Sequence, residues 1–475
     1  MPFIPKRFPV GFTLLAFLAL SCRREFLPPR PGLLRFSRDT VRFDSLFSTL
    51  LSPTQRLWIY NPHSHPVILR AAYLEQGSQS PFSFILDGKP GPIYNHELGS
   101  KDSLQVFFQL KDTTFIDATR EDHLILETEA GRQTIALKAT LIAAYIFRNF
   151  GLDSVVVSLP NDKPIVIDGF FYIGPQAVLR ILPGSKLYFS ARRWESGPLK
   201  GELSSGLYIA GRLEALGTPQ APISMQGWRL EPYYTQAAGQ WQGIHFLVSS
   251  RDNRLLYTHI SQSSIAIRID STGGSAFPKV YMEGCIIQRA ANYGILALGF
   301  SPSLSSAPIL EAVNTLVFRC GQACAALLGG GKYKLLHCSF IYDQGDLRRG
   351  QTAFLLTDFL RLSDRILTYP SELQALNCLF WSTKSEAIVE DLQSPSTAQR
   401  RYDYCALRHP RTFPGDSLLY LSDPKLGKAD EGYPLQSESP LINRGKYEAN
   451  FSISYDLRGR QRDAQPDIGV YEFVR

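Results

Sequence analysis

The sequence has little room for helices. Between its strand-like segments the stretches are short and rich in Gly, Ser and Asn, which excludes a sheet alternating with helices. Clustered charge is also missing. The formal net charge is +7, but Lys and Arg are scattered, with no basic run and no basic amphipathic helix. A phosphate-binding footprint is clustered, so no nucleic-acid partner is expected. No nucleophile elbow, phosphate loop, dinucleotide fingerprint or zinc-protease motif occurs. No Cys/His spacing matches a structural zinc site, so neither a metal site nor a cofactor is expected.

What the chain does have is a short phrase that keeps returning. It begins as Tyr257-Thr258-His259-Ile260 and recurs as Gly284-Cys285-Ile286-Ile287 and Asn314-Thr315-Leu316-Val317. His337-Cys338-Ser339-Phe340, Asn377-Cys378-Leu379-Phe380 and Tyr404-Cys405-Ala406-Leu407 follow. The Thr/Cys position advances by 27, 30, 23, 40 and 27 residues. A small residue, a variable one, then a large apolar one is strand patterning, and its return at a near-constant interval marks one coil of a solenoid. Thr or Cys and the apolar residue two places on share the core face. A second strand follows several copies, as in Ile265-Ala266-Ile267, Gly294-Ile295-Leu296, Ala325-Ala326-Leu327 and Ala387-Ile388-Val389. The pattern predicts an all-β chain built on a right-handed parallel β-helix.

The segments before and after divide the chain further. Lys6 and Arg7 precede the apolar run from Val10 to Leu18, which ends in Ala19-Leu20-Ser21-Cys22. That run is too short to span a bilayer comfortably and has the form of a secretory signal over 1–22. Residues 23–35, with Pro28, Pro29 and Pro31, read as an extended tether. Over 36–145, strand-like segments such as Leu57-Trp58-Ile59-Tyr60 and Val67-Ile68-Leu69 are separated by turn signals including Asn61-Pro62 and Asp87-Gly88, which predicts an immunoglobulin-like β-sandwich. The β-helix is expected over 146–414, and 415–475 reads as a turn-rich cap for its open end. There, Asp456 and Asp467 read as turn-forming residues.

Of the later cysteines, Cys285, Cys338, Cys378 and Cys405 are ladder residues. Their parallel side chains suit packing better than disulfides, whereas Cys320 and Cys324 could join across a turn.

Small residues before Cys22 resemble the bacterial lipobox, which implies that Cys22 is lipid-modified. With Arg23 rather than Asp after the Cys, an outer-membrane, lipid-anchored location is expected. The lipobox, sandwich, coil repeats, Trp241-Gln242-Gly243-Ile244 and the ending Asp467-Ile468-Gly469-Val470-Tyr471-Glu472 together resemble the β-helix repeat lipoproteins of Bacteroidota-type bacteria. The ending is similar to a choice-of-anchor domain. The wider pectin-lyase-like group includes polysaccharide lyases and glycoside hydrolases, so the resemblance leaves an enzyme open.

Residues flanking the ladder position test that reading. No carboxylate occurs among them, which disfavours both the paired carboxyls of glycoside hydrolysis and a calcium-assisted elimination. Tyr257, His259, Asn314, His337, Asn377, Trp381 and Tyr404 instead offer rings and amides suited to sugars. The lead expectation is non-catalytic binding of a glycan or surface partner along this flank. The alternative, a lyase or hydrolase, would draw on Arg268, Asp270, Asp343, Asp346, Arg348 and Glu386, with Ca2+ only for a lyase. A structural cell-envelope role is the third reading.

Overall fold

The computed structural model describes residues 28–48, 52–112, 114, 116–196, 200–270, 276–343, 352–383, 386–395, 398–447 and 454–474. The segment 1–22 expected to be a signal, with Cys22, therefore lies outside the described residues, as do Asp346 and Arg348. The chain divides into two compact units between Ile142 and Ala143.

The first unit is a sandwich of two five-stranded sheets. One contains Gln55–Tyr60, Ser103–Leu110 and Phe82–Leu86; the other contains Val67–Leu74, Ala118–Thr128 and Gly131–Ile142. Pairing is antiparallel except where Thr40–Phe47 runs parallel to Gly131–Ile142. Alternate residues such as Leu57, Ile59, Leu124, Leu126, Ile135 and Leu137 fill the space between the sheets, as expected for strands with one buried face.

The second unit is the β-helix, whose parallel crossovers take the right-handed sense usual for such connections. One side is a nine-stranded sheet from Val156–Leu159 to Ala398–Asp403; eighteen further strands form a second sheet that bends around the other sides, and Phe359–Arg361 with Ile366–Thr368 makes a separate hairpin. The ladder stands as the sequence implies. His259 pairs with Ile286, Ile286 with Leu316, Leu316 with Ser339, Ser339 with Leu379 and Leu379 with Ala406. The preceding position therefore stacks Thr258, Cys285, Thr315, Cys338, Cys378 and Cys405, and all six are fully buried. The six cysteines among the described residues are free thiols, Cys320 and Cys324 included. Burial pushes the Cys285 thiol up to about 12. One apolar step further in, Phe340 and Phe380 stack with ring centroids 5.4 Å apart. Trp241 lies flat on Phe189 at 3.8 Å in the same core.

The residue before each ladder position departs from the expected strand geometry. Tyr257, Gly284, Asn314, His337, Asn377 and Tyr404 have φ of 42°, 64°, 44°, 50°, 54° and 49°. They are left-handed corners, each turning the chain out of the nine-stranded sheet and into the larger one. Asn and Gly tolerate that conformation best, which explains their use here. At Gly284 glycine is needed twice over, because a Cβ would meet the Tyr257 ring at 2.5 Å.

The C-terminal segment also departs from expectation. Leu419–Tyr420 adds a last parallel strand beside Ala406–Leu407. Tyr433, Leu441, Ile468, Val470 and Tyr471 then pack on Leu316, Phe318, Ile341, Leu379 and Ala406. The segment is thus a strap laid lengthwise over four coils rather than a plug across the open end. Nearer that end, Phe413 meets the ring of Tyr402 edge-on at 5.4 Å.

Candidate functional site

The strap covers most of the flank expected to bind a ligand. Asn314, His337 and Asn377 are only 2%, 3% and 1% exposed. Asn314 Nδ2 donates to Tyr455 O at 2.7 Å and its Oδ1 accepts from Arg462 Nη2 at 2.9 Å. Asn377 Oδ1 accepts from Lys446 N at 2.8 Å, and its Nδ2 donates to Lys446 O at 2.9 Å. Burial, then the nearby Arg462 charge, push the His337 imidazole well below its ordinary value. Trp381 Nε1 donates to Ser422 O at 3.2 Å. Tyr257, His259 and Tyr404 remain half-buried, with the Lys446 ammonium 5.7 Å from the Tyr404 ring centre. Asn314, His337, Asn377 and Trp381 are taken up in fastening the strap, so the expectation of an open ligand face is corrected at these positions.

The strap's own charges are part of the same fastening. Arg462 and Glu472 form an ion pair at 3.1 Å with side chains 3% and 5% exposed. Asp456 Oδ1 accepts the backbone N–H groups of Arg458 and Arg460, and its Oδ2 that of Glu472. Asp467 accepts those of Asn443 and Phe473. Asp456 is a turn former as expected, whereas Asp467 ties together segments 24 and 6 residues away, which corrects the turn reading for that residue.

The residues of the enzyme reading do not converge. Arg268 Nε and His245 Nε2 grip the two oxygens of Asp270 at 2.8 and 2.6 Å. Burial pushes the Asp270 carboxyl up, but hydrogen bonds from His245 and Arg268 outweigh it and leave it below its ordinary value. Nearby, Lys279 is fully buried, with its ammonium on the carbonyls of Val248 and Asp270. Burial lowers it to about 8. Asp343 binds the Tyr433 hydroxyl under the strap, and Glu386 is exposed. Among the described residues no hydrogen bond or ion pair joins either to Asp270.

A further open feature is the outward face of the nine-stranded sheet. There the register stacks Arg180, Glu214, Arg254, Tyr281, Glu311, Lys334, Gln374 and Arg401 in one row across eight coils. Adjacent strands lie about 4.8 Å apart, so the row offers a polar group at each such step. Opposite charges alternate along much of it. Arg180 and Arg212 meet Glu214 at 2.7 and 3.2 Å, Lys334 meets Glu311 at 2.9 Å, and Lys332 meets Glu372 at 3.3 Å. The cross-strand pairs among these, Arg180–Glu214, Glu311–Lys334 and Lys332–Glu372, stabilise the sheet modestly, by roughly 0.2–1 kcal/mol each.

Two clefts open on this face. One, of about 620 Å³, is lined by Arg212, Glu214, Asp252, Arg254, Tyr281 and Glu311, with Phe277 at its side. Phe277 is 60% exposed, a flat apolar surface among charged groups. The other, of about 690 Å³, lies over Lys334, Glu372, Gln374, Gln399, Arg401 and Asp403. Both volumes suit a ligand. Glu214, Glu311 and Glu372 are each ion-paired, unlike the apolar setting that makes a carboxyl a general acid. The face presents charged donors and acceptors beside the rings of Phe277 and Tyr281. The sequence could have shown it, since outward residues of the strand before each corner alternate in charge, but only once those strands are aligned.

No protein-family profile matches the sequence, and no curated protein matches it. Among solved structures, similarity extends to the pectate lyase Pel9A at 12% identity and TM-score 0.33, covering 70% of this chain and 86% of that one. An α-1,3-glucanase of family GH87 from Streptomyces thermodiastaticus is similar at 7% identity and TM-score 0.28, covering 77% and 75%. A family 123 glycoside hydrolase from Clostridium perfringens is matched at 7% identity and TM-score 0.17, over 23% of this chain and 26% of its own length. At these identities and scores the likenesses carry no activity over to this chain, and its architecture rests on its own strand pairing.

Proposed function

We propose that this chain is a glycan-binding β-helix protein tethered to the outer membrane through a lipid on Cys22, with the outward face of the nine-stranded sheet as its binding surface. The observation that carries the reading is the in-register row from Arg180 to Arg401 with its two clefts. Ion pairs present both donors and acceptors to hydroxyls, and Phe277 and Tyr281 offer flat surfaces for sugar rings. A regular row suits a regular polymer.

The test is retention of the protein by soluble polysaccharides in affinity electrophoresis, backed by a glycan array. Retention by at least one polymer is expected, with Phe277→Ala and Arg254→Ala each weakening it about tenfold. Failure to bind any glycan, or variants that bind like the parent, would overturn the proposal. Radiolabelled palmitate should be incorporated by the parent but not by Cys22→Ser in a bacterial host.

A second reading, a polysaccharide lyase or hydrolase, draws support from the grip of His245 and Arg268 on Asp270 beside Tyr208. Unsaturated or reducing-end products that disappear in Asp270→Asn would put it first.

A further inference from the structure

We propose that Glu75, Asp122 and His123, on the sandwich unit, form a binding site for a divalent transition-metal ion of the Zn2+ kind. Val67–Leu74 pairs antiparallel with Ala118–Thr128, with Leu74 opposite Leu124. The pairing continues as Glu75 N donates to His123 O at 2.9 Å. The end of one strand therefore stands against two consecutive residues of the other. One ligand-capable atom from each of the three residues lies within 4.8 Å of the other two. An imidazole nitrogen beside two carboxylates suits Zn2+ or Mn2+, whereas Ca2+ takes six or more oxygens.

Two further observations point to an ion. Asp122 is 3% exposed, and its Oδ1 accepts the N–H groups of Gln76 and His123 at 3.2 and 2.7 Å. Its Oδ2 is buried and accepts no hydrogen bond among the described residues. Such an oxygen pays a desolvation penalty that a cation would offset. Glu75 is also oriented for the role. Arg132 holds its Oε1 at 3.0 Å, while Oε2 faces His123 Nδ1 at 2.8 Å. A carboxylate steadied from behind is how protein metal ligands are positioned. Tetrahedral Zn2+ keeps ligand atoms roughly 3.4 Å apart, given bonds of about 2.0–2.2 Å. The 4.8 Å span closes by side-chain rotation, since Glu75 and His123 are 48% and 47% exposed. Water completes the coordination.

The experiment uses the full chain, stripped with EDTA, desalted and titrated with ZnCl2 by calorimetry. One saturable equivalent is expected. His123→Ala and Glu75→Gln should each weaken it at least tenfold while keeping the circular dichroism and metal-free melting temperature of the parent. His63→Ala, which disturbs the stacked His63–His65 pair, should leave the titration unchanged. The proposal is overturned if no saturable binding is seen, if both site variants titrate like the parent, or if binding is lost in His63→Ala instead.

Discussion

Replacing Arg462 by Met should loosen the strap, and do so far more at pH 8 than at pH 5. Arg462 donates to Glu472 Oε2 at 3.1 Å, Asn314 Oδ1 at 2.9 Å and Gly469 O at 3.0 Å. Removing one partner of a buried ion pair costs about 3–5 kcal/mol, because the other charge is left uncompensated. That charge has a way out. Burial already raises the Glu472 carboxyl from its ordinary 4.5 to about 7, although Arg462 pulls it down. Without Arg462 it rises further, so the folded chain retains a proton that the unfolded chain releases. Stability from a carboxyl raised in this way is greatest below about pH 4.5 and falls as pH climbs towards the folded value. At pH 5 the variant carries a neutral acid and loses chiefly hydrogen bonds; at pH 8 it must either hold a proton that the unfolded chain gives up or bury a bare carboxylate, and both cost stability. Hydrogen exchange over 454–474, with limited proteolysis at both pH values, reads the strap directly. Equal protection of variant and parent at pH 8, or a larger loss at pH 5, would refute the reasoning.

Two further outcomes follow from the stacked corners and the ladder. Asn377→Ala should cost about 1 kcal/mol more than Asn377→Gly in urea denaturation, since both lose the Lys446 bonds but only Ala places a Cβ in the left-handed region; the reverse order would contradict the corner geometry. The six described thiols should resist a water-soluble disulfide reagent in the native protein and react once it is unfolded. Rapid native labelling of Cys338 or Cys378 would mean that the ladder is open to solvent.

The ladder was legible because its chemistry repeats. Thr and Cys recur with an apolar residue two places on, and the stacking of Thr258 through Cys405 follows from that alone. The second strands at Ile265, Ile295, Ala325 and Ile388 were legible for the same reason. The corners were not. Asn and His before the ladder residue read equally well as outward strand positions, and only the backbone reveals the positive φ. The strap's destination was hidden because turn-rich sequence does not say what it docks on. Its contacts with Asn314 and Asn377 join residues 69 to 148 positions apart. Glu75 and His123 are 48 apart and share no spacing signal, so only sheet pairing brings them together.

Coil length varies from 23 to 40 residues across the ladder, yet each of its six copies returns to the same left-handed corner. In the longest, a small hairpin of Phe359–Arg361 and Ile366–Thr368 stands aside, while Cys338 N still reaches Cys378 Sγ at 3.4 Å. The fold keeps count by corners and not by residues. A foreign peptide grafted into the tip between Arg361 and Ile366 would therefore be carried as cargo, leaving the architecture beneath it undisturbed.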